Sequence, residues 1–256
     1  MTVLLAFVSP LQHAAFLAGD DLESHQGVQI DKVSTVWRRF AVGFYGLDTL
    51  FEAVQFSAYG SQDSDVVRFS TGSAIKPVTD LHTLLERASA TLPRLAAKYR
   101  RNVARQAEVG EITDAQHQRY LHSGGGLVVL DYEEMRLHHA KLRGAILGEG
   151  SRFEFDVQAL DPERAFRFAI NDPLDLGPVT AEMALKPRRW ARPKVVEARL
   201  ECEAAGFPGT IGELGASFTK RGDETEFFSA YASVDDYMTL HGVPLPGEAV
   251  RPTKNK

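Results

Sequence analysis

The sequence is poor in cysteine, and this scarcity limits the classes of protein it can belong to. A single Cys202 excludes an intrachain disulfide framework, and we interpret it as a structural residue. Long apolar runs are also missing, since the stretches 14–18 and 127–130 are far shorter than the ~20 residues of a membrane-spanning helix. No basic segment precedes the first apolar run, as it would in a secretory signal. The expected compartment is therefore the cytoplasm, with no membrane partner.

Positive charge is not in excess either. The 29 Lys and Arg residues are outnumbered by 34 Asp and Glu residues, for a formal net charge of −5. Because phosphate affinity comes from clustered cations, a nucleic-acid partner is not expected. The eight histidines form no HExxH motif and no Cys/His spacing, so no metal site is predicted. The glycine cluster 123–126 lacks a Walker lysine and precedes a strand, so no phosphate-binding cofactor is predicted.

What the chain does have is an ordinary globular composition, with 44% hydrophobic and 25% charged residues. Strand-like runs cover residues 2–8, 14–19, 28–30, 33–37 and 40–46. Helical spacing of apolar residues begins at residue 47 and again at 79 or 80, with Pro93 expected to kink or divide the second helix. Asp161-Pro162 predicts a short helix through 170. Further strands are predicted at 127–131, 135–144, 153–157, 179–185, 195–200 and 226–232, and the basic segment 186–194 is interpreted as a surface loop.

This order of elements favours an α+β fold over a doubly wound parallel sheet, because strands and helices do not alternate. Strand runs separated by paired helices fit an αββα sandwich, in which two antiparallel sheets are flanked by helices. We expect this domain to cover residues 1–185. An extension over 186–243 would pack on it, and residues 244–256 would form a disordered tail.

The chemistry that the sequence offers begins at position 2. Removal of Met1 would leave Thr2 with a free α-amine beside its own hydroxyl, and the amine can act as the base that activates the hydroxyl. On its own this signal is weak, because many proteins begin with Met-Thr. Its weight depends on the motifs that follow.

Three motifs follow the Thr-led strand in order, and they read Phe16-Leu-Ala-Gly-Asp-Asp21, Asp31-Lys-Val33 and Ala41-Val-Gly-Phe-Tyr-Gly46. This order resembles the opening of proteasome β-type subunits, which are N-terminal-nucleophile (Ntn) hydrolases. The resemblance covers about residues 2–185, with specific motifs only in the first ~60 positions. It implies a proteasome-like homo-oligomer and a threonine-type amide hydrolase, specifically a peptidase acting on peptide or protein substrates.

The resemblance also implies a role for each matching residue. Thr2 would be the nucleophile. Lys32 would lie near the Thr2 hydroxyl, where a charged ammonium lowers the hydroxyl pKa or helps to shuttle a proton. Asp20 would pair with Lys32 and hold it charged, with Asp21 as the alternative.

The remaining site residues are a donor and a supporting group. The backbone N–H of Gly46, or else that of Gly43, would donate to the oxyanion. The family generally carries a Ser that supports the amine, and Glu149 stands at that place here. Asp172 or Asp175 would correspond to a supporting Asp in a later turn, with no Ser following.

These departures leave two alternatives to an active hydrolase. One is a catalytically inactive member of the proteasome fold that serves as a scaffold or protein-binding subunit. The other is an unrelated αββα binding protein whose Met-Thr start is a coincidence.

Overall fold

The computed structural model describes residues 2–23, 28–29, 31–59, 78–148, 152–169 and 173–229. Within these ranges the chain forms thirteen strands and five helices. The strands are β1 (Leu4–Ser9), β2 (Ala14–Asp20), β3 (Leu22–Glu23), β4 (Val28–Gln29), β5 (Val33–Val36), β6 (Phe40–Tyr45), β7 (Gly126–Asp131), β8 (Arg136–Leu142), β9 (Phe155–Ala159), β10 (Arg164–Phe168), β11 (Leu174–Pro178), β12 (Leu214–Arg221) and β13 (Glu224–Phe228). The helices are α1 (Thr49–Tyr59), α2 (Leu81–Glu108), α3 (Asp114–His122), α4 (Ala181–Leu185) and α5 (Pro187–Ala204).

Two large sheets account for most of the strands. One has the order β11-β10-β1-β2-β12-β13 and the other the order β5-β6-β7-β8-β9, while β3 and β4 form a short pair. The pairings within both large sheets are antiparallel. The protein is therefore of the mixed α+β class that the sequence predicts.

The alternation of side chains along β1 explains how this sheet is buried on both faces. Leu4, Ala6 and Val8 belong to one apolar cluster, which they share with residues of β2, β7 and β8. Leu5 and Phe7 point the other way, into a cluster with residues of α4 and α5. A third cluster joins the five-stranded sheet to α1 and α2. A strand buried on both faces reads as an uninterrupted apolar run, which is the pattern of residues 2–8.

Helix α2 begins at the predicted cap and runs through Pro93 without interruption. The side chain of Asp80 accepts a hydrogen bond from the Thr83 N–H at 2.7 Å and caps the first turn. Pro93 does not divide the helix, which runs unbroken from Leu81 to Glu108. Pro93 lies on the exposed face, where water can serve the carbonyl that a proline leaves without an N–H donor. None of the helices within the described ranges combines the length and the apolar character needed to cross a bilayer.

The predicted helix at 161–170 is wrong, because that segment contains strand β10. It pairs with β1 on one side and with β11 on the other. The Asp161-Pro162 signal belongs to a turn that Glu163 completes at φ +64°. Ala165, Phe166 and Phe168 are buried on this strand, with strands on both sides of it.

The predicted strands at 179–185 and 195–200 and the predicted loop at 186–194 are also wrong. Residues 181–185 form α4, which Thr180 caps through the Met183 N–H. Residues 187–194 of the predicted loop and all of 195–200 lie in α5, which begins at Pro187. Its buried residues Ala191, Val195 and Ala198 are spaced four and three apart, so they lie on one helical face.

The segment after residue 185, expected as an extension packed on the first domain, contributes to the six-stranded sheet itself. Strand β12 pairs with β2, with Leu214 opposite Asp20 and Ser217 opposite Ala18, and β13 pairs with β12. Helix α5 packs on the same sheet through Trp190, whose ring lies 5.7 Å from that of Phe7. Residues 244–256 lie outside the described residues.

Candidate active site

The start of the chain lies beside the end of β2, because β1 and β2 pair with Leu4 opposite Gly19. The Val3 N–H donates to Asp20 Oδ1 at 2.7 Å, and the Asp20 N–H donates to the Val3 carbonyl at 3.0 Å. Thr2 lies directly before Val3, which makes these two hydrogen bonds, and Thr2 is 7% exposed. The Asp20 side chain therefore fixes the backbone directly after Thr2.

Lys32 reaches the same carboxylate from the segment before β5. Its Nζ donates to Asp20 Oδ2 at 2.8 Å and to the Leu22 carbonyl at 2.6 Å. Both members of the ion pair are buried, with side-chain exposures of 2% for Lys32 and 0% for Asp20. A Cβ at Gly19 would lie 3.0 Å from the Lys32 Cβ, so the glycine before Asp20 makes room for the lysine stem.

Asp20 is the hub of this arrangement. Besides the Val3 N–H and the Lys32 ammonium, it accepts from the Gly212 N–H at 3.3 Å. All three partners are donors, and a carboxylate is the side chain that offers acceptors only. Asp20 thus joins the first residues of the chain, the lysine and a segment that precedes β12.

Gly46 ends β6 at a turn that only glycine suits. Its φ is +95°, and a Cβ there would lie 2.4 Å from the Gly124 carbonyl oxygen and 2.7 Å from the Gly125 Cα. Gly43 lies inside β6 instead, opposite Val33. A Cβ on Gly43 would contact both methyl groups of Leu4 at 3.1 Å. The two glycines that the resemblance offers as oxyanion donors therefore occupy different environments, one at a turn and one in the core.

Thr2, Lys32 and Gly46 line one cavity of about 880 Å³. Its apolar wall includes Phe44 and Leu142, and the glycine run 124–125 closes one side. Asp20 and Gly43 are not among the described lining residues. Lys32 can therefore contact a molecule in the cavity, while Asp20 supports it from behind.

The other predicted site residues lie away from this group or outside the described residues. Asp21 accepts from the Glu213 N–H at 2.9 Å and so holds the segment before β12. Asp175 is on β11, where the Arg164 guanidinium donates to it at 2.5 Å. This hydrogen bond and the one from the Gly177 N–H hold the pKa of the Asp175 carboxyl below its ordinary value. Glu149 and Asp172 lie outside the described residues.

Sequence reasoning missed the contribution of residues 207–212. Phe207 and Thr210 line the cavity, and Gly212 donates to Asp20. A Cβ at Gly212 would lie 2.2 Å from Asp21 Oδ1 and 2.7 Å from the Leu22 Cβ, so the close approach needs a glycine. The glycine pairs at 206–209 and 212–215 are the only local signal, and they indicate turns without indicating what the turns contact.

A buried polar pair stands behind another wall of the cavity. The Tyr45 hydroxyl lies 2.7 Å from His139 Nε2, and Tyr45 also lines the cavity. His138 is directed to the opposite face of β8, as adjacent residues of a strand must be, and burial lowers its pKa. Among the residues that the structure describes, no three His, Cys, Asp or Glu side chains are grouped closely enough to hold a metal ion.

Comparison with known proteins gives only distant likenesses. No protein-family model and no curated protein matches the sequence. Among solved structures, Anbu (ancestral beta-subunit) from Yersinia bercovieri is 10% identical with a TM-score of 0.43, over 97% of this chain and 100% of that chain. The Anbu (Gly-1) mutant from Hyphomicrobium sp. strain MC1 is 10% identical with a TM-score of 0.41, over 94% and 93%. Anbu from the same strain is 11% identical with a TM-score of 0.39, over 90% and 88%. Likenesses at this level carry no argument about activity.

Proposed function

We propose that this protein is a threonine-type Ntn amide hydrolase, with peptides or proteins as substrates. One observation carries the proposal: Thr2, Lys32 and Gly46 line a single cavity, and Lys32 is held in a buried ion pair with Asp20. A buried ion pair that presents one member to a cavity is a common feature of catalytic sites.

The proposed mechanism uses groups of this chain alone. Once Met1 is removed, the free α-amine of Thr2 takes the proton from the Thr2 hydroxyl, and the oxygen attacks the scissile carbonyl. The Lys32 ammonium has three donors, of which Asp20 and Leu22 take two, and the third serves the Thr2 oxygen. The Gly46 N–H donates to the oxyanion. The protonated α-amine of Thr2 gives this proton to the nitrogen of the scissile amide, and the amine product of the substrate leaves. Water then hydrolyses the acyl-enzyme and regenerates Thr2.

We further propose that the elements form an αββα sandwich. The shared cluster of β1, β2, β7 and β8 supports a contact between the faces of the two large sheets. The clusters of α1 and α2 on one sheet and of α4 and α5 on the other support a helical layer on each outer face. Homo-oligomeric assembly stays a prediction of the resemblance, and sedimentation velocity would test it.

Two measurements test the hydrolase. Intact-mass spectrometry determines whether Met1 is removed, and its retention contradicts the mechanism because Thr2 then has no free amine. If Met1 is absent, hydrolysis of a fluorogenic peptide panel is compared between the wild type, Thr2→Ala and Thr2→Ser. We expect Thr2→Ala to abolish hydrolysis and Thr2→Ser to retain part of it. Equal rates for the wild type and Thr2→Ala exclude Thr2 as the nucleophile.

The second candidate function is an inactive scaffold or protein-binding subunit with the same architecture. The observation that favours it is the position of Asp175, which is exposed and bound to Arg164 instead of supporting the amine of Thr2. Such a protein would lose Met1 or keep it without consequence and would hydrolyse none of the panel. Hydrolysis of the peptide panel therefore separates the candidates.

A further inference from the structure

Helix α5 has one buried face and one exposed face. Its buried residues pack against the six-stranded sheet, and the opposite side carries Val196 and Leu200, which are 42% and 57% exposed. Single apolar side chains are common on protein surfaces, but these two are four residues apart and are therefore neighbours on the helix. They form the centre of a stripe along the exposed face.

Charges of opposite sign occupy the two ends of this stripe. Arg189 and Arg192 are exposed near its start, and Glu203 is exposed at its end. At about 100° per residue, all three project within about 40° of the direction of Val196, as Leu200 does. The α5 stripe thus consists of Arg189, Arg192, Val196, Leu200 and Glu203.

Several neighbouring charges of α5 are bound within the chain. Lys194 donates to Glu197 at 2.8 Å, and Glu201 accepts from Arg167 of β10 at 2.6 Å. These three α5 side chains therefore already have counterions. The exposed charges of the stripe are the ones that a partner can approach from outside the fold.

The stripe is complementary to itself when its direction is reversed. Val196 is the midpoint, because Arg189 precedes it by seven residues and Glu203 follows it by seven, about 10 Å along the axis in each direction. In an antiparallel pair of α5 helices that cross at Val196, each Arg189 faces the partner's Glu203. Arg192 then faces the partner's Leu200, which its aliphatic stem can cover. A two-fold axis forms each of these contacts twice.

We propose that the α5 stripe is a docking surface for a second copy of this chain, with the two helices antiparallel about a two-fold axis at Val196. The inference does not depend on the proposed hydrolase, since none of the stripe residues is among the described lining residues of the cavity. The charges select the orientation, because a parallel pair would place Arg189 against the partner's Arg189. A contact one helix wide buries less than the ~800 Å² per partner of a standard interface, so the association is expected in the micromolar range.

The first test is sedimentation velocity over a protein concentration range of about 1 to 200 µM. We expect the wild type to self-associate and Arg189→Glu to raise the dissociation constant by about tenfold, because both symmetry-related contacts become repulsive. The charge swap that combines Arg189→Glu with Glu203→Arg restores opposite charges across the axis and should recover association. The matched control is Arg101→Glu, the same reversal at an exposed position of α2, which should leave association unchanged.

Disulfide cross-linking locates the axis. In a Cys202→Ser background, Val196→Cys should give a covalent dimer, because helices about 8–10 Å apart bring facing Cα atoms into the roughly 4.4–6.8 Å range of a disulfide. Leu200→Cys is the matched control, since the two positions would lie about 12 Å apart along the axis in an antiparallel pair. Equal cross-linking of both variants, or cross-linking of neither, overturns the proposed pairing.

The other contradicting outcomes are equally distinct. A wild type that is monomeric at every concentration overturns the proposal, whether the stripe then contacts residues 230–256 of its own chain or a different protein. Self-association that Arg189→Glu does not weaken lies on another face and also overturns it. Failure of the charge swap to restore association refutes the pairing of Arg189 with Glu203. None of these results bears on hydrolysis by Thr2, so this proposal and the hydrolase can fail separately.

Discussion

Replacing Asp20 by Asn tests the central feature of the site. The change keeps the shape of the side chain but removes its charge. Oδ1 of Asp20 faces the Val3 N–H, and Oδ2 faces Lys32 Nζ and the Gly212 N–H. An amide has one oxygen and one NH₂ group, so on one side it must place a donor against a donor.

The expected cost is large because Lys32 would be left buried without a counterion. Removing one partner of a buried ion pair typically costs about 3–5 kcal/mol, whereas an ordinary hydrogen bond contributes ~1 kcal/mol. We therefore expect Asp20→Asn to lower the free energy of unfolding by about 3 kcal/mol or more. Adding Lys32→Met should recover part of this loss, because the double variant has neither charge.

The neighbouring acid provides the control. Asp21 accepts from the Glu213 N–H through Oδ1, and an Asn can make the same bond through its own oxygen. Asp21→Asn should therefore cost less than ~1 kcal/mol.

The assay is urea unfolding followed by tryptophan fluorescence. Trp37 is buried in the cluster of the five-stranded sheet and Trp190 packs on the six-stranded sheet, so the signal reports on both. Equal losses for Asp20→Asn and Asp21→Asn, within ~0.5 kcal/mol and at equal m-values, would refute the reasoning.

Three further outcomes are expected. Gly46→Ala should lower the melting temperature more than Gly144→Ala does. Both glycines have positive φ, but only at Gly46 would the added Cβ clash with a carbonyl oxygen, that of Gly124. Equal melting temperatures would contradict this. Gly212→Ala should displace the donor from Asp20 and lower kcat/KM by about tenfold, the equivalent of one charge-assisted hydrogen bond; unchanged hydrolysis would remove Gly212 from the site. Asp80→Ala should cost ~1 kcal/mol at neutral pH. Hydrogen bonds from the Thr83 N–H and side chain lower the pKa of Asp80 in the folded protein. The stabilisation is therefore present above the pKa of the unfolded state and is lost as the pH falls through the pKa of the folded state. A stability difference between Asp80→Ala and the wild type that is the same at pH 3 and pH 7 would exclude the cap.

Five of the first six strands and the first two helices could be predicted because their signals are local, whereas the two-residue strand β3 was missed. Strands β1 and β2 are buried on both faces, and their sequences are nearly continuous apolar runs. Gly19-Asp20 marks the end of β2. Asp80 is a favourable cap directly before the apolar stripe of α2. In each case the secondary-structure propensity of the residues, the hydrophobic pattern and the residues at the boundary indicate the same element.

The later elements could not be predicted because tertiary packing overrides weak local signals. Helix α5 contains Pro187 and Pro193, and its buried stripe consists of small side chains that give little periodicity. Strand β10 follows an Asp-Pro pair typical of a helix start, yet it is held between β1 and β11. No local pattern carries that information.

The same limit applies to the candidate site. The pairing of Asp20 with Lys32 joins residues twelve positions apart, and a resemblance of motif order could propose it. The bond from Gly212 to Asp20 spans 192 positions. A glycine in a turn indicates a bend in the chain but does not indicate which carboxylate its N–H will meet.

The bond between Gly212 and Asp20 has a consequence for the order of events in synthesis. Thr2, Asp20 and Lys32 are translated before β12, the strand that pairs with β2, and before Gly212, which lies 192 positions after Asp20. A chain that has not yet reached Gly212 therefore holds Thr2, the proposed nucleophile, while Asp20 lacks one of its three donors. Under the proposed function, the complete site would form only after the segment that carries Gly212 has been translated.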